Sequence, residues 1–194
     1  LASRAAVLEA AVSPKPGLVC LGSNGAHRDM DYPMFVRSAK ALRPYFAQAH
    51  ALGQATRGLA PGQVFARLRP LGMRAEQCML QATGGVNTHK GLIFSLGLFC
   101  AAVGRLDGGG TDGWGAKGWS GQAVSADAIR QEAALFVSGL VQQDFAPLAA
   151  QRQALRATLD DSLSPSAARP LLEARLQRRL TAGEVLYLLY GITG

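Results

Sequence analysis

The hydrophobic positions of this chain recur every three or four residues, which is the spacing of one face of an α-helix. The clearest stripe predicts a helix over residues 33–52 and consists of Phe35, Ser38, Leu42, Tyr45, Ala49 and Leu52. Asp31 is well placed as the N-cap of this helix, and Pro44 predicts a kink or a local break inside it. Residues that favour strands are scarce, and isoleucine occurs only three times. The pattern therefore predicts an all-α protein.

Further helices follow from the same spacing. They are expected over residues 1–12, 61–69, 73–82, 90–103, 125–140 and 170–180, and in the run that follows a capping box formed by Thr181 and Glu184. The segment 90–103 is apolar nearly all round, which predicts a central and fully surrounded helix. The glycine-rich segment 104–124 predicts a surface loop, and both a lid over substrate and a tolerated insertion remain open for it. We expect residues 1–194 to form a single helical domain.

Composition narrows the class of protein. Hydrophobic residues make up 48% of the chain, which argues against a disordered tail, and no apolar run is long enough to span a membrane. No signal peptide is recognisable at the start. The three cysteines lack the spacing of a disulfide framework or a zinc site, which favours the cytoplasm. The net charge of +7 suits an anionic partner, and the absence of a basic run favours phosphorylated small molecules over nucleic acid.

Two polar segments interrupt the helices near the start of the chain. In SPKPGLV, residues 13–19, two prolines flank Lys15 and hold it on a stiff backbone. In NGAHRDMDY, residues 24–32, alternate positions place His27, Asp29 and Asp31 where their side chains can converge. Such paired carboxylates suit Mg²⁺ bound with a phosphate chain, or a general base. The plain alternatives are an interhelix turn for the first segment, and a helix cap with a solvated carboxylate for the second.

A third polar segment, TGGVNTHKG, lies between two apolar helices at residues 83–91. It is not a P-loop, because the Gly-Lys-Ser/Thr ending and the preceding strand are both missing. Gly84 and Gly85 nevertheless allow an unusual backbone path, and a helix begins near Lys90. The free amides of a helix start together with a lysine form an anion site. Asn87, Thr88 and His89 add groups that can read a sugar or a base, although a simple C-cap followed by an N-cap explains the same residues.

The three segments in this order, ending in ATGGVNTHKGLIFSLGL, resemble the triphosphoribosyl-dephospho-CoA synthases, the accessory enzymes of citrate lyase and malonate decarboxylase. The resemblance implies an all-helical transferase that joins ATP to 3′-dephospho-CoA and releases adenine. Its product passes to a phosphoribosyl-dephospho-CoA transferase and an acyl carrier protein, without nucleic acid or membrane. Cys20 stands where the family often has an acidic residue, which favours the malonate decarboxylase branch. Family members continue beyond the final YGITG, so we expect this chain to be incomplete.

The resemblance also implies roles for residues in the three segments. Phosphate is expected at Lys15, Lys90 and the amides of Gly84 and Gly85. Mg²⁺ is expected at Asp29 and Asp31, one of which is alternatively the base that deprotonates the attacking hydroxyl. His27 or His89 would assist the departing adenine. The remaining substrate contacts are expected from Asn24, Arg28, Asn87 and Thr88.

Two other functions remain as alternatives. A metal-dependent helical phosphohydrolase is suggested by the His-Arg-Asp at residues 27–29, but the chain has only three histidines, and His50 has no predicted carboxylate neighbour. A non-catalytic module that binds RNA or an acidic protein is suggested by the arginines between Arg169 and Arg179. A solvated helix face is the usual explanation for such arginines.

Overall fold

The computed structural model describes residues 1–107, 124–156 and 163–190. These residues form helices α1 (Ala2–Ala11), α2 (Tyr32–Ala41), α3 (Arg43–Ala55), α4 (Pro61–Ala82), α5 (Lys90–Leu106), α6 (Ala126–Phe136), α7 (Leu140–Arg156), α8 (Pro165–Leu176) and α9 (Ala182–Tyr190). Within these ranges β-structure is limited to an isolated antiparallel bridge between Cys20 and Ser23. The prediction of an all-α fold is confirmed. Most of the predicted 104–124 loop lies outside the described residues.

The break predicted at Pro44 is present. The chain leaves α2 after Ala41 and enters α3 at Arg43, with Pro44 in the first turn of the new helix, where its missing N–H costs no hydrogen bond. Asp31 caps α2 as predicted, because its Oδ1 accepts a hydrogen bond of 2.8 Å from the amide of Met34. This cap fixes the point at which the second polar segment joins the helical core.

Several predicted boundaries are wrong. The two helices expected over 61–69 and 73–82 are one helix, α4, with Pro70 inside it. Its buried face continues on both sides of that proline, from Val64 to Met79, so tertiary packing outweighs the lost backbone hydrogen bond. The helix capped by Ser125 ends at Phe136 rather than near residue 140, because Gly139 adopts a left-handed φ of +74° and a new helix follows.

Helix α5 occupies the centre of the first compact unit, residues 1–137, where it packs against α1, α3, α4 and α6. Glycines bring α3 and α5 very close together. A Cβ at Gly53 would lie 2.0 Å from the carbonyl oxygen of Ala101, and one at Gly97 would lie 1.9 Å from the hydroxyl of Tyr45. The central position is confirmed, but α5 is not surrounded on all sides, since the side chains of Phe94 and Phe99 are 50% and 39% exposed.

The end of α5 is held by a partly buried ion pair. The Arg105 Nε lies 2.6 Å from the Glu132 Oε1 of α6, and both side chains are less than one-fifth exposed. The same guanidinium donates to the backbone carbonyls of Thr56 and Leu59, which follow α3. This network joins α3, α5 and α6.

The second compact unit comprises residues 138–194 and contains α7, α8 and α9. Its core is a set of aliphatic side chains from these helices: Leu148, Leu155, Ala168, Leu172, Leu180, Val185, Leu188 and Leu189. The capping box is confirmed, because the Thr181 hydroxyl accepts from the Glu184 amide and the Glu184 carboxylate accepts from the Thr181 amide. One domain over the whole chain stays a prediction.

The arginine-rich segment differs from the predicted helix over 170–180. Helix α8 starts earlier, capped by Ser164, and ends before Gln177, whose φ of +51° is left-handed. Arg169 donates to the carbonyl of Leu180, and Arg178 forms an ion pair with Glu184 at 2.8 Å. These arginines therefore help to hold the unit together. No helix in the described part of the chain combines the length and hydropathy needed to cross a membrane.

Candidate functional site

The first two polar segments are packed directly against each other. The amide of Ala26 donates to the carbonyl of Gly17 at 3.2 Å. Gly25 has a φ of +59°, and a Cβ there would lie 2.5 Å from the backbone carbon of Gly17 and 2.6 Å from the backbone of Leu18. Only glycine fits this contact without a shift of backbone. The loop that carries Lys15 and the loop that carries the two aspartates therefore form one continuous surface.

Lys15 is not a free cation in this structure. Its Nζ lies 2.5 Å from the Oε1 of Glu9 on α1, and its side chain is only 15% exposed. The Glu9 side chain is 55% exposed, so the carboxylate is the more solvent-accessible member of the pair. A phosphate that binds Lys15 would have to replace this carboxylate as its counterion or share the lysine with it.

His89 lies inside the protein, where α2 and α4 hold it. Its side chain is 3% exposed, and its Nδ1 lies 2.7 Å from the hydroxyl of Ser38. The same hydroxyl also accepts a hydrogen bond of 2.8 Å from the hydroxyl of Thr88. The ring of Phe35 packs edge-on against the imidazole at 5.0 Å, and the His89 amide donates to the sulfur of Met79. The third polar segment is thus fixed to the helix that Asp31 caps.

The second nitrogen of this imidazole has no partner. His89 Nε2 is buried and makes no hydrogen bond within the described part of the chain. Burial lowers the pKa of His89, while the negative charge of Glu9 partly opposes that effect. The ring is therefore neutral at pH 7. A buried polar atom without a partner is rare in native proteins, so this nitrogen is a candidate contact for a ligand or a water molecule.

The glycine pair of the third segment ends α4 and faces open space. Gly84 and Gly85 have φ of +66° and +93°, and a Cβ on either would meet no atom within 4 Å. The amide of Gly85 already donates to the carbonyl of Leu80 at 2.7 Å, which is a helix C-cap interaction. Phosphate binding by these amides stays a prediction, and for Gly85 it requires that this hydrogen bond be shared or broken.

The residues that follow begin α5. The Asn87 side chain accepts from the amide of Lys90 at 3.2 Å and so caps the first turn. The Lys90 ammonium lies 2.8 Å from the Glu76 carboxylate of α4, with 61% of the lysine side chain exposed. Both lysines expected to hold phosphate are therefore paired with glutamates from neighbouring helices. Neither glutamate was expected in the site.

The remaining predicted site residues lie on the surface of the second segment. His27 Nδ1 is 3.7 Å from Asp29 Oδ1, with the two side chains 35% and 64% exposed. Asn24 and Arg28 are exposed, and the Asn24 carbonyl accepts from the His27 amide. One oxygen of Asp31 is used in the cap of α2.

Metal binding by this segment depends on what ATP supplies. The described residues contain no group of three or more His, Cys, Asp or Glu side chains placed to hold a metal ion. Mg²⁺ bound through a phosphate chain needs only one or two carboxylates, which Asp29 and Asp31 are able to provide. His50 does have an acidic neighbour, contrary to expectation, since its Nε2 lies 4.0 Å from Asp107 Oδ2.

Comparison with known proteins identifies the family. Residues 1–194 match the model of the family described as "CitG: ATP:dephospho-CoA triphosphoribosyl transferase". The chain belongs to this family. A probable 2-(5''-triphosphoribosyl)-3'-dephosphocoenzyme-A synthase of Salmonella gallinarum is 52% identical over 106 residues, which are 55% of this chain and 35% of that protein.

Two further relatives show the same partial coverage. The synthase of the same name from Vibrio cholerae serotype O1 is 51% identical over 106 residues, 55% of this chain and 34% of that protein. Protein CitXG of Haemophilus influenzae is 50% identical over 102 residues, 53% of this chain and 22% of that protein. The chain thus aligns with about a third or less of these relatives' length. No solved structure matches it significantly.

Three residues of the site were missed by the sequence prediction. Glu9 and Glu76 occupy ordinary helical positions. Glu9 meets Lys15 in the loop that follows α1, and Glu76 of α4 meets Lys90 of α5, so helical spacing reveals neither pair. Ser38 carried a detectable sign, because it places a hydroxyl inside the apolar stripe of α2. A polar side chain in a stripe that faces the core must find a buried partner, and here the partner is His89.

Proposed function

We propose that the protein joins the triphosphoribosyl part of ATP to the 2′-hydroxyl of 3′-dephospho-CoA and releases adenine. Membership of the family supports this activity. The observation that carries the assignment of the site is the unpartnered Nε2 of His89, whose ring contacts Phe35 and Ser38 of α2, the helix that Asp31 caps. A donor of this kind suits the ring nitrogens of a leaving adenine.

The bonds that change set the requirements of the site. The C1′–N9 bond of ATP breaks, and a bond forms between that C1′ and the 2′-oxygen of dephospho-CoA. The proton lost by the hydroxyl is the one finally gained by adenine, so no further reactant is needed. Cleavage at a sugar C1′ passes through a state with oxocarbenium character, which neighbouring carboxylates stabilise. We assign Asp29, which lies beside His27, as the base for the hydroxyl.

The phosphates of both substrates require cations. Lys15 and Lys90 are the proposed contacts, and each exchanges its glutamate counterion for phosphate when substrate binds. With Asp29 as the base, Asp31 is left to hold the Mg²⁺ that ATP brings, and the metal would neutralise the triphosphate. Asn87 and Thr88, at the start of α5, orient the ribose. These assignments are part of the proposal.

The product is proposed to be the prosthetic-group precursor for the acyl carrier subunit of malonate decarboxylase, with citrate lyase as the alternative. Cys20 alone favours the malonate branch. A cytoplasmic location agrees with the three cysteines of the described structure, all of which are free thiols. Transfer of the purified product to one apo-carrier subunit and not to the other would identify the pathway.

A chromatographic assay for free adenine tests the proposal. The protein is incubated with ATP and Mg²⁺, with and without 3′-dephospho-CoA. Adenine that forms only when both substrates are present supports the transferase. Release of inorganic phosphate from ATP without adenine would favour the phosphohydrolase instead of the transferase. Release of neither product would contradict both activities.

A further inference from the structure

The hydroxyl groups around His89 restrict where its proton is located. A serine hydroxyl has one proton to donate and two lone pairs to accept with. Ser38 accepts from Thr88, and the other hydrogen-bond partner of its side chain among the described residues is His89 Nδ1. The Ser38 side chain is fully buried, so water does not supply an alternative acceptor.

The two neutral forms of His89 therefore differ in cost. If Nδ1 carried the proton, it would donate to Ser38, and the Ser38 hydroxyl would have to donate to Thr88, which reverses the hydrogen bond that Thr88 donates. If Nε2 carries the proton, Thr88 donates to Ser38, Ser38 donates to Nδ1, and every hydroxyl proton is used. The second arrangement keeps the direction of the hydrogen bond from Thr88 and leaves no buried hydroxyl proton without an acceptor, so it is favoured.

We propose that Ser38 is a positioning residue that, together with Thr88, holds His89 as the Nε2–H tautomer and thereby makes the unpartnered nitrogen a hydrogen-bond donor. The tautomer is a property of the chain alone. The identity of the acceptor, a ring nitrogen of the departing adenine, rests on the proposed function. A neutral imidazole N–H stabilises the negative charge that develops on adenine by hydrogen bonding, and it does not have to give up its proton.

This assignment differs from general acid catalysis by His89. An acid would have to be protonated on both nitrogens, and the Nδ1 proton would then oppose the hydroxyl direction set by Thr88. The charge that acts on the ring is that of Glu9 from α1, which is itself paired with Lys15. The contacts from α2 and α4 are made by Phe35, Ser38 and Met79, none of which is charged. The environment is thus mainly apolar and holds the ring in its neutral form.

Nitrogen NMR of the imidazole rings tests the tautomer directly. The chain has three histidines, and the signals of His27 and His50 are assigned by their loss in the His27→Gln and His50→Gln variants. The remaining signal is expected to show a protonated Nε2 and an unprotonated Nδ1 at pH 7. A protonated Nδ1 in the wild-type protein, in either the neutral or the cationic form, would overturn the proposal without the need for any variant.

Substitution of Ser38 tests the positioning role. Ser38→Ala is expected to produce a mixture of tautomers. It should lower kcat for adenine release about tenfold, which corresponds to the loss of roughly one hydrogen bond in the transition state, and leave KM for ATP nearly unchanged. Thr88→Val should shift the tautomer in the same direction but less. The matched control is Thr56→Val, which removes a fully buried hydroxyl near the other end of α5. It should change neither the tautomer of His89 nor kcat.

The two proposals fail in different ways. An unchanged Nε2–H tautomer in Ser38→Ala would show that Ser38 does not set it. A wild-type protein with the expected tautomer but no adenine release would leave the positioning role standing and would overturn the proposed function.

Discussion

The ion pair between Lys90 and Glu76 predicts that removing an acidic residue should improve substrate binding. The Lys90 ammonium lies 2.8 Å from the Glu76 carboxylate, and the proposed phosphate contact competes for the same charge. Glu76→Gln keeps the shape of the side chain and removes the competing negative charge. We therefore expect this variant to have a lower KM for ATP, whereas Lys90→Met should have a higher one.

The magnitude follows from the exposure of the pair. The Lys90 side chain is 61% exposed and that of Glu76 is 32% exposed, so solvent screens their attraction. Ion pairs of this kind contribute about 0.2–1 kcal/mol. If substrate binding must give up that attraction, Glu76→Gln lowers KM about 1.5- to 5-fold. The difference should shrink at high salt, because the interaction is screened.

The assay is the initial rate of adenine release at varied ATP, measured at low and at high ionic strength. Asp127→Asn is the matched control, since Asp127 forms an exposed ion pair with Arg130 within α6 and has no proposed contact with substrate. An unchanged or higher KM for Glu76→Gln would show that Lys90 does not hold phosphate. An equal decrease in the KM for ATP in Asp127→Asn would show that the effect comes from the change in net charge and not from Lys90.

Three further predictions concern stability. Gly53→Ala should lower the free energy of unfolding by about 2 kcal/mol or more, because the new Cβ would lie 2.0 Å from a backbone carbonyl oxygen of α5. Gly62→Ala is the control, since its Cβ would meet no atom within 4 Å, and thermal unfolding of the two variants is compared. Burial lowers the pKa of His89 below its ordinary value of 6.5, so the neutral ring contributes fully to stability above pH 6.5, and this contribution is lost as the pH falls towards the pKa of the folded state. The free energy of unfolding in urea should therefore differ less between pH 5 and pH 7 in His89→Gln than in the wild-type protein. Glu132→Gln leaves Arg105 without its carboxylate and should cost about 3 kcal/mol by the same urea measurement.

The class of fold and several helix ends follow from local rules. Asp31, Ser125 and the Thr181–Glu184 box were identified from residue type and spacing, and each forms the expected capping hydrogen bond. Caps are predictable because the donor and the acceptor lie within four residues of each other. The break near Pro44 is local in the same sense.

Pro70 shows where local rules fail. A proline disfavours the interior of a helix by about 3 kcal/mol, and the sequence therefore predicted a boundary there. The buried face of α4 extends from Val64 to Met79 and outweighs that cost. Packing of this kind depends on residues distant in the chain, which hydrophobic spacing alone does not reveal.

The candidate site likewise contains features that the sequence predicts and features that it does not. The three polar segments were recognised because each interrupts an apolar pattern, and the contact of Gly25 with Gly17 and Leu18 shows that the first two meet. The glutamate partners of the lysines were missed, because Lys15 lies in the loop after the helix of Glu9, and Glu76 and Lys90 lie in different helices. The link from Ser38 to His89 spans 51 residues and is likewise invisible to spacing rules.

The most direct test of the transferase is the identity and position of the new bond. Wild-type protein, ATP and Mg²⁺ are incubated with 3′-dephospho-CoA or with its 2′-deoxy analogue, and mass spectrometry measures adenine and the conjugate together. We expect equal amounts of adenine and triphosphoribosyl conjugate with the natural substrate, and neither product with the analogue. Conjugate formed from the 2′-deoxy analogue, or adenine formed without conjugate, would contradict it.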